Sequence, residues 1–327
     1  MDNHPISCYH LGHYFQIDGK QLQEQYKEHI SDYSSWDQKA HADDWMLFIQ
    51  NVSPRLSIDE TALSNGELYT IVTNKEAKGR KGAIVAMIKG TVAEKIISVL
   101  KKIPERLRKR VREVTMDMAA SMQLAIKRCF VNAHRVIDRF HVQKLAYDAV
   151  QEVRVKYRWE AIDAENEGIA TAKKNKIAYQ PEALANGDTV KQLLARSRYL
   201  LFKHPSKWTR NQELRAELLF ERYPKLENAY NIAQKLGDIF RVCKSKEQAF
   251  KRLAIWYNEV EACGIDSFRT VARSIQSHYL YILNFFINRA TNASAESFNA
   301  KIKAFRATSR GVRDVKFFLF RLSKIYA

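Results

Sequence analysis

Apolar residues are spaced along this chain in two ways, and the spacing changes twice. Residues 20 to 50 read as helix with a polar face, broken near Ser31–Ser35. From residue 55 the pattern becomes that of strands. Arg55–Asp59 carries Leu56 and Ile58, Leu68–Thr73 is rich in β-formers, and Ala83–Ile88 is a third apolar run. Asn65-Gly66 gives a turn signal between the first two, and the Gly-bracketed basic stretch Gly79–Gly82 separates the second from the third. These runs predict a three-stranded antiparallel meander.

A helix follows from Thr91, with Ala93, Ile96, Ile97 and Leu100 as its apolar stripe and Pro104 beyond its end. Arg112–Asp117 reads as a fourth strand, Ala119–Phe130 as a helix and Ala133–Asp138 as a fifth strand, and Phe140 opens another helix. The order βββαβαβα predicts the α/β class, a mixed five-stranded sheet covered by helices. From about 145 to 285 strand signals vanish. Helical periods take over in Val190–Phe202, Asn211–Phe220, Leu226–Phe240 and Gln248–Cys263. One more helix, Asn292–Phe305, comes after them. The predicted organisation is a short helical segment over 1–50, an α/β core over 51–150, an all-helical insertion over 151–285, and a returning helix with a basic segment over 286–327.

Charge narrows the class of partner. The chain has 327 residues, a formal net charge of +18 and a pI of about 9.7. An excess of that size points to an anionic partner, either nucleic acid or an anionic membrane. No apolar run approaches the length of a spanning helix, and Met1–His10 is polar, so nucleic acid is favoured and a membrane is not expected. The four cysteines, Cys8, Cys129, Cys243 and Cys263, form no C-x-x-C pair, which fits a reducing, cytoplasmic setting without a zinc ribbon. Cys8, His10 and His13 read as polar residues of a short irregular segment rather than a metal site. Trp159, Trp208 and Trp256 read as core of the helical block.

Three acids attract attention. Asp59 and Asp117 stand at the predicted ends of the first and fourth strands, where neighbouring strands would deliver both carboxylates to one edge of the sheet. Two carboxylates held close repel unless a cation neutralises them, and Mg²⁺ is the natural hard cation for such a site. In the last helix, Asn292, Glu296, Asn299 and Lys303 share one face, while Ala295, Phe298, Ile302 and Phe305 form an apolar face opposite. The spacing alone leaves the plainer readings open: a turn or cap aspartate, and a glutamate on a solvated helix face.

Four segments carry a resemblance. They are Leu56-Ser57-Ile58-Asp59-Glu60, Thr115-Met116-Asp117-Met118, Val136-Ile137-Asp138-Arg139-Phe140-His141, and Thr291 through Lys303, followed by Arg310-Gly311. In these the chain resembles the ribonuclease H-like catalytic domain of DDE transposases of bacterial insertion sequences, in the L-three-like group. The resemblance implies that Asp59, Asp117 and Glu296 are the ligands of two Mg²⁺ or Mn²⁺ ions, and that the helical block is an insertion domain. It implies metal-dependent DNA strand cleavage and strand transfer at element ends, by a protein acting in the bacterial cytoplasm on the nucleoid. Asp138 and His141 form a D-x-x-H step, read either as an N-cap with a nearby histidine or as an accessory pair that shapes the site without ligating metal. Asn292 and Asn299 are further accessory candidates.

The basic run Lys101–Arg112 reads as a solvated helix and connector. Between Ser297 and Ala327 eight basic residues face one acid, Asp314, so Lys301, Lys303, Arg306, Arg310 and Arg313 are candidate contacts to the DNA backbone. Relatives usually carry a zinc or helix-turn-helix module ahead of the first aspartate. Here about fifty residues precede it without paired cysteines, so a separate recognition polypeptide, or a homo-oligomer formed on double-stranded DNA, is expected to supply end recognition. Two other readings share these residues: a hydrolytic nuclease of the same fold, and a non-catalytic DNA-binding descendant.

Overall fold

A computed structural model describes residues 1–63, 66–308, 312 and 314–327. Asn65 of the expected turn, and Arg310, Gly311 and Arg313 of the expected basic segment, lie outside the described residues. The chain divides into two compact units, Met1–Asp138 with Asn288–Ala327, and Arg139–Ile287.

The first unit is built on a six-stranded sheet. Its strands are β1 (Trp45–Leu47), β2 (Arg55–Ala62), β3 (Leu68–Asn74), β4 (Ile84–Lys89), β5 (Glu113–Met116) and β6 (His134–Ile137). They lie in the order β1-β4-β3-β2-β5-β6. The first four are antiparallel neighbours, whereas β5 and β6 run parallel to β2. Apart from β1 this is the ribonuclease H-like arrangement, with β2 as the centre on which the meander and the crossovers meet.

The five-stranded expectation needs correcting by one strand. β1 has three residues, too few for an alternation to register, yet Met46 between two half-buried neighbours is fully buried. Its free edge is partly closed by a side chain: the Gln38 amide donates to the Leu47 carbonyl at 3.1 Å and accepts the Leu47 N–H at 2.8 Å.

Ten helices of this unit and its neighbour follow in chain order: α1 (Cys8–Phe15), α2 (Gly19–Gln25), α3 (Ala93–Leu100), α4 (Glu105–Arg108), α5 (Ala120–Cys129), α6 (Arg139–Lys174), α7 (Val190–Arg196), α8 (Arg210–Arg222), α9 (Pro224–Val242) and α10 (Lys246–Cys263). Then come α11 (Asp266–Leu283), α12 (Phe285–Asn288), α13 (Ala293–Thr308) and α14 (Val315–Tyr326). The segment around Cys8, His10 and His13 is therefore helical, not irregular. Ser7 caps it by accepting the His10 N–H, and Cys8 is buried. All four cysteines are free thiols.

The two sheet faces are covered differently. α3 and α5 pack together against β4 and β5. On the other face, Phe298, Ile302 and Phe305 of α13 join Leu319, Leu322 and Tyr326 of α14 over Met46, Ile71, Ile84 and Met87. α14 was not expected from the sequence, where its basic residues drew the reading toward an open tail. Its apolar face is instead nearly all buried.

Arg321 of α14 shows how that tail is used. It is 4% exposed, and its guanidinium donates to the carbonyls of Met1, His4 and Ile6 at 2.8, 3.3 and 3.1 Å. It also lies over the rings of Tyr26 and Phe305. The planar guanidinium can lay its face over aromatic rings while its edge donates to carbonyls, a combination that a tetrahedral ammonium does not reproduce.

The second unit is helical throughout, apart from one short bridge at Ala183 and Thr189. α6 packs on α9 and α11, and α10 packs on α9 and α11. Trp256 is buried and donates its indole N–H to the Ile232 carbonyl at 2.9 Å. Trp208 is half-buried, but Trp159 is 61% exposed and is not core. Ahead of α7, buried Asp188 receives Arg196 and, at 3.1 Å, Arg215. Burial pushes the Asp188 carboxyl upward, but the two arginines outweigh it and hold it below the usual range. Among the described residues no helix is long and apolar enough to cross a membrane.

Two stability predictions follow from these buried charges. Arg321→Ala leaves three carbonyls of the amino-terminal segment unserved and should cost about 3 kcal/mol in urea unfolding, with Arg321→Lys recovering less than half. Asp188→Asn should cost about 2 kcal/mol at neutral pH, because the arginine partners stay partly hydrated. The native Asp188 contribution is present above the ordinary aspartate range of about 3.9 and is lost as pH falls below it, so variant and wild type should converge in acid.

Candidate metal centre and active site

Strand register brings the acids together. In the parallel pair β2–β5, Arg55, Leu56 and Ser57 stand opposite Glu113, Val114 and Thr115. In β5–β6, Thr115 and Met116 stand opposite Val136 and Ile137. Carrying both registers forward sets Asp59, Asp117 and Asp138 on one line across three strands, each about 4.8 Å from the next along the sheet. Asp59 is not at the end of its strand as expected. β2 runs on to Ala62, and Asp59 marks the point where its parallel neighbour stops.

α13 crosses the same sheet face. Its anchor is the apolar set Phe298, Ile302 and Phe305, all buried. One face of a single turn delivers two polar side chains to the row. Asn299 donates its amide to Asp59 at 2.8 Å, and half-buried Glu296 brings a carboxylate oxygen within 4.8 Å of one on Asp138. Asp138 itself is 2% exposed. Asp117 accepts the Ala119 N–H at 2.7 Å, which bends the chain out of β5 toward α5. His141 lies three residues past Asp138, on the first turn of α6 and in the second unit.

Glu60 is an acid that the sequence did not single out. Strand alternation turns it away from Asp59, so nothing in its spacing marks it. Burial, then the Asp117 and Asp59 charges, push its carboxyl above the usual range. The two aspartate charges add to the effect of burial there. Two carboxylates about 5 Å apart, at an effective dielectric of about 20, repel by about 3 kcal/mol.

Not every acid nearby is of this kind. Glu113, four residues before Asp117, is buried but accepts the Lys75 ammonium at 2.8 Å and the Asn288 amide. Lys75 also donates to Thr115 at 2.9 Å. Glu113 is thus part of the scaffold beneath the row. Asn292, just ahead of α13, is fully buried, and among the described residues its side-chain amide finds no hydrogen-bond partner. Its carbonyl accepts the Glu296 N–H at 3.0 Å.

The donors that converge here are carboxylate oxygens, in a crowded and partly buried row. That is the chemistry of a hard divalent cation such as Mg²⁺ or Mn²⁺, and the residues fit one.

Comparison with known proteins now bears on the reading. The profile of the ISL3 group of DDE transposases matches residues 56–322. This chain belongs to that transposase family. It is similar to the transposase for insertion sequence element IS1001 of Bordetella parapertussis, 23% identical over 270 residues, a stretch that takes in 82% of this chain and 59% of that protein. The chain therefore spans about 59% of the length of the curated relative it matches.

In this transposase-family chain the expected basic contacts divide. Lys303 is exposed. Lys301 donates to the Gly79 carbonyl at 2.8 Å, and Arg306 to the Ala62 carbonyl at 3.3 Å. Gly79 has φ +68, and a Cβ there would meet the Lys301 ammonium at 3.1 Å, so glycine suits both the turn and the approach. Lys316 and Lys324 pair with Asp43 and Asp32.

Asn299→Asp tests the crowding directly. It places a further buried carboxylate against Asp59 and should lower stability by about 2 kcal/mol at neutral pH. Its folded-state carboxyl would be raised, so the loss should fade as pH falls into the carboxylate range. Urea midpoints at both pH values measure this, and a loss that does not change with pH would mean that packing, not charge, is responsible.

Proposed function

We propose that this chain is the catalytic part of a metal-dependent DNA transposase that cleaves strands at insertion-sequence ends and joins them to target DNA. The observation that carries the reading is the acid row: Asp59, Asp117 and Asp138 in register across β2, β5 and β6, with Glu296 reaching over from α13. Membership of the transposase family supports the reaction class.

Asp59, Asp117 and Glu296 would hold two ions, and Asp138 lies close enough to Glu296 to join them. When bound, Mg²⁺ or Mn²⁺ supplies Lewis-acid activation of the nucleophile and charge stabilisation at the leaving oxygen. The reaction is in-line displacement at phosphorus. A water or a DNA 3′-hydroxyl loses its proton and bonds to phosphorus as the bond to the departing 3′-oxygen breaks.

The remaining side chains bind and orient. Asn299 fixes the Asp59 carboxylate. Asn292 and His141 are accessory groups at the two ends of the inserted helical unit, which we read as an insertion domain. Lys303, exposed on α13, would meet the DNA backbone, whereas Lys301 and Arg306 bond to carbonyls of the sheet unit. Element ends, target DNA, a recognition polypeptide and a homo-oligomer on DNA remain parts of the same proposal.

Asp59→Asn, Asp117→Asn and Glu296→Gln should each reduce Mg²⁺- or Mn²⁺-dependent cleavage of element-end DNA by roughly a hundredfold or more, with unfolding curves intact. A variant that cleaves normally removes its residue from the ligand set. Supplying pre-cut ends separates strand joining from cleavage. Release of nicked product without joined strands would support the hydrolytic nuclease instead. For DNA binding, Lys303→Glu should weaken affinity several-fold and lower the salt slope by about 1 without loss of stability. Lys301→Glu should lower stability as well.

A further inference from the structure

In the helical unit of this strongly basic chain, four glutamates line one groove. It has a volume of about 760 Å³ and is lined by parts of α8, α9 and the segment before them. Glu213, Glu217 and Glu221 follow one another at four-residue intervals on α8, and Glu227 faces them from α9. Trp208 and Phe220 form its apolar wall. Both rings rest on buried Tyr230, with centroids at 5.6 and 5.3 Å, so the wall is rigid.

This arrangement costs the helix stability as it stands. Like charges four residues apart disfavour a helix. Arg210 offsets part of this through an exposed pair with Glu213 at 3.3 Å. Among the described residues Glu217, Glu221 and Glu227 have no ion-pair partner. Carboxylates set around the faces of a tryptophan and a phenylalanine suit a lysine ammonium or an arginine guanidinium. The same charges repel a DNA phosphate, so the groove is suited to protein rather than to nucleic acid.

We infer that this groove docks the basic run Lys101–Arg112 of a second copy of the chain. That run supplies the complementary charge. Lys101, Lys102, Arg106, Lys109, Arg110 and Arg112 are all exposed, and the one acid among them, Glu105, pairs within the run with Lys109. The contact is heterologous, groove to run, and its strength rests on charge and on stacking over Trp208 and Phe220. The inference does not depend on the strand-transfer reading, since neither partner surface includes an acid of the row.

The test uses the full chain and a labelled peptide with the sequence of residues 101–112. Anisotropy titration should show saturable binding that weakens at high salt. Glu213→Gln, Glu217→Gln and Glu221→Gln combined, which preserve size and helix, should weaken it by about tenfold or more. A scrambled peptide of the same composition should bind more weakly than the native order. In sedimentation at low salt, the full chain should self-associate. The triple glutamine variant, and separately Arg106→Gln with Arg110→Gln and Arg112→Gln, should shift it toward monomer. A scrambled peptide that binds equally well would assign the groove to basic peptides in general and overturn the second-copy assignment. Unchanged affinity in the triple variant, or unchanged self-association in both variants, would overturn it as well. Cleavage assays are not part of the readout, so failure here is distinct from failure of the transposase reading.

Discussion

Hydrogen bonding between β2 and β5 fixes which residue of one strand stands abreast of which residue of the next, and the acid row depends on that pairing. Side chains alternate across a strand, so a slip of one residue would send Asp59 to the other sheet face and carry Leu56 and Ile58 with it. The alternation that buries Leu56, Ile58, Val114 and Met116 therefore also sets the carboxylates. Core and site share one register, and neither can be shifted without the other. α13 adds the second fixed line: its apolar stripe locks on the meander, and the turn from Glu296 to Asn299 follows from that docking.

Charged groups in this protein fall into two physical situations. Glu113 with Lys75, Asp188 with Arg196 and Arg215, and Arg321 with three carbonyls are buried charges with matched partners. Each is part of the scaffold. The row formed by Asp59, Asp117 and Asp138, with Glu60 and Glu296 beside it, instead gathers charge of one sign. Folding energy alone does not favour such a gathering, since a pair of these groups repels by about 3 kcal/mol. Burial first, and the neighbouring Asp117 and Asp59 charges second, push the Glu60 carboxyl upward.

The strands that form the sheet's centre were legible because their alternation is long enough to count. β2, β3 and β4 are six to eight residues each, and their apolar runs mark them. β1 was not legible: three residues in an otherwise irregular stretch carry no period, and Met46 is buried by the core that α13 and α14 form over the sheet. α14 failed for the opposite reason. Its period is clear, but its arginine and lysines suggested a solvent-facing tail, and only the fold shows Arg321 turned inward. The positions of Asp59 and Asp117 on neighbouring strands, and of Glu296 on a helix with an apolar face, were readable from strand and helix patterns. The registration of Asp138 with Asp117 was not, because a parallel register between strands separated by a helix is written in packing rather than in spacing. Glu60 was hidden by the alternation rule itself.

The Gln38 amide on β1 bears on how this chain behaves among copies of itself. A sheet edge presents open N–H and C=O groups to any strand that comes by, and edge-to-edge pairing is the common route to aggregation. At Leu47 both groups are already taken by one side chain that imitates a neighbouring peptide. A glutamine thus stands in for a seventh strand, at a point where a real one would recruit another molecule. With His41 occupying the Trp45 N–H and carbonyl, this edge offers an incoming strand little to pair with.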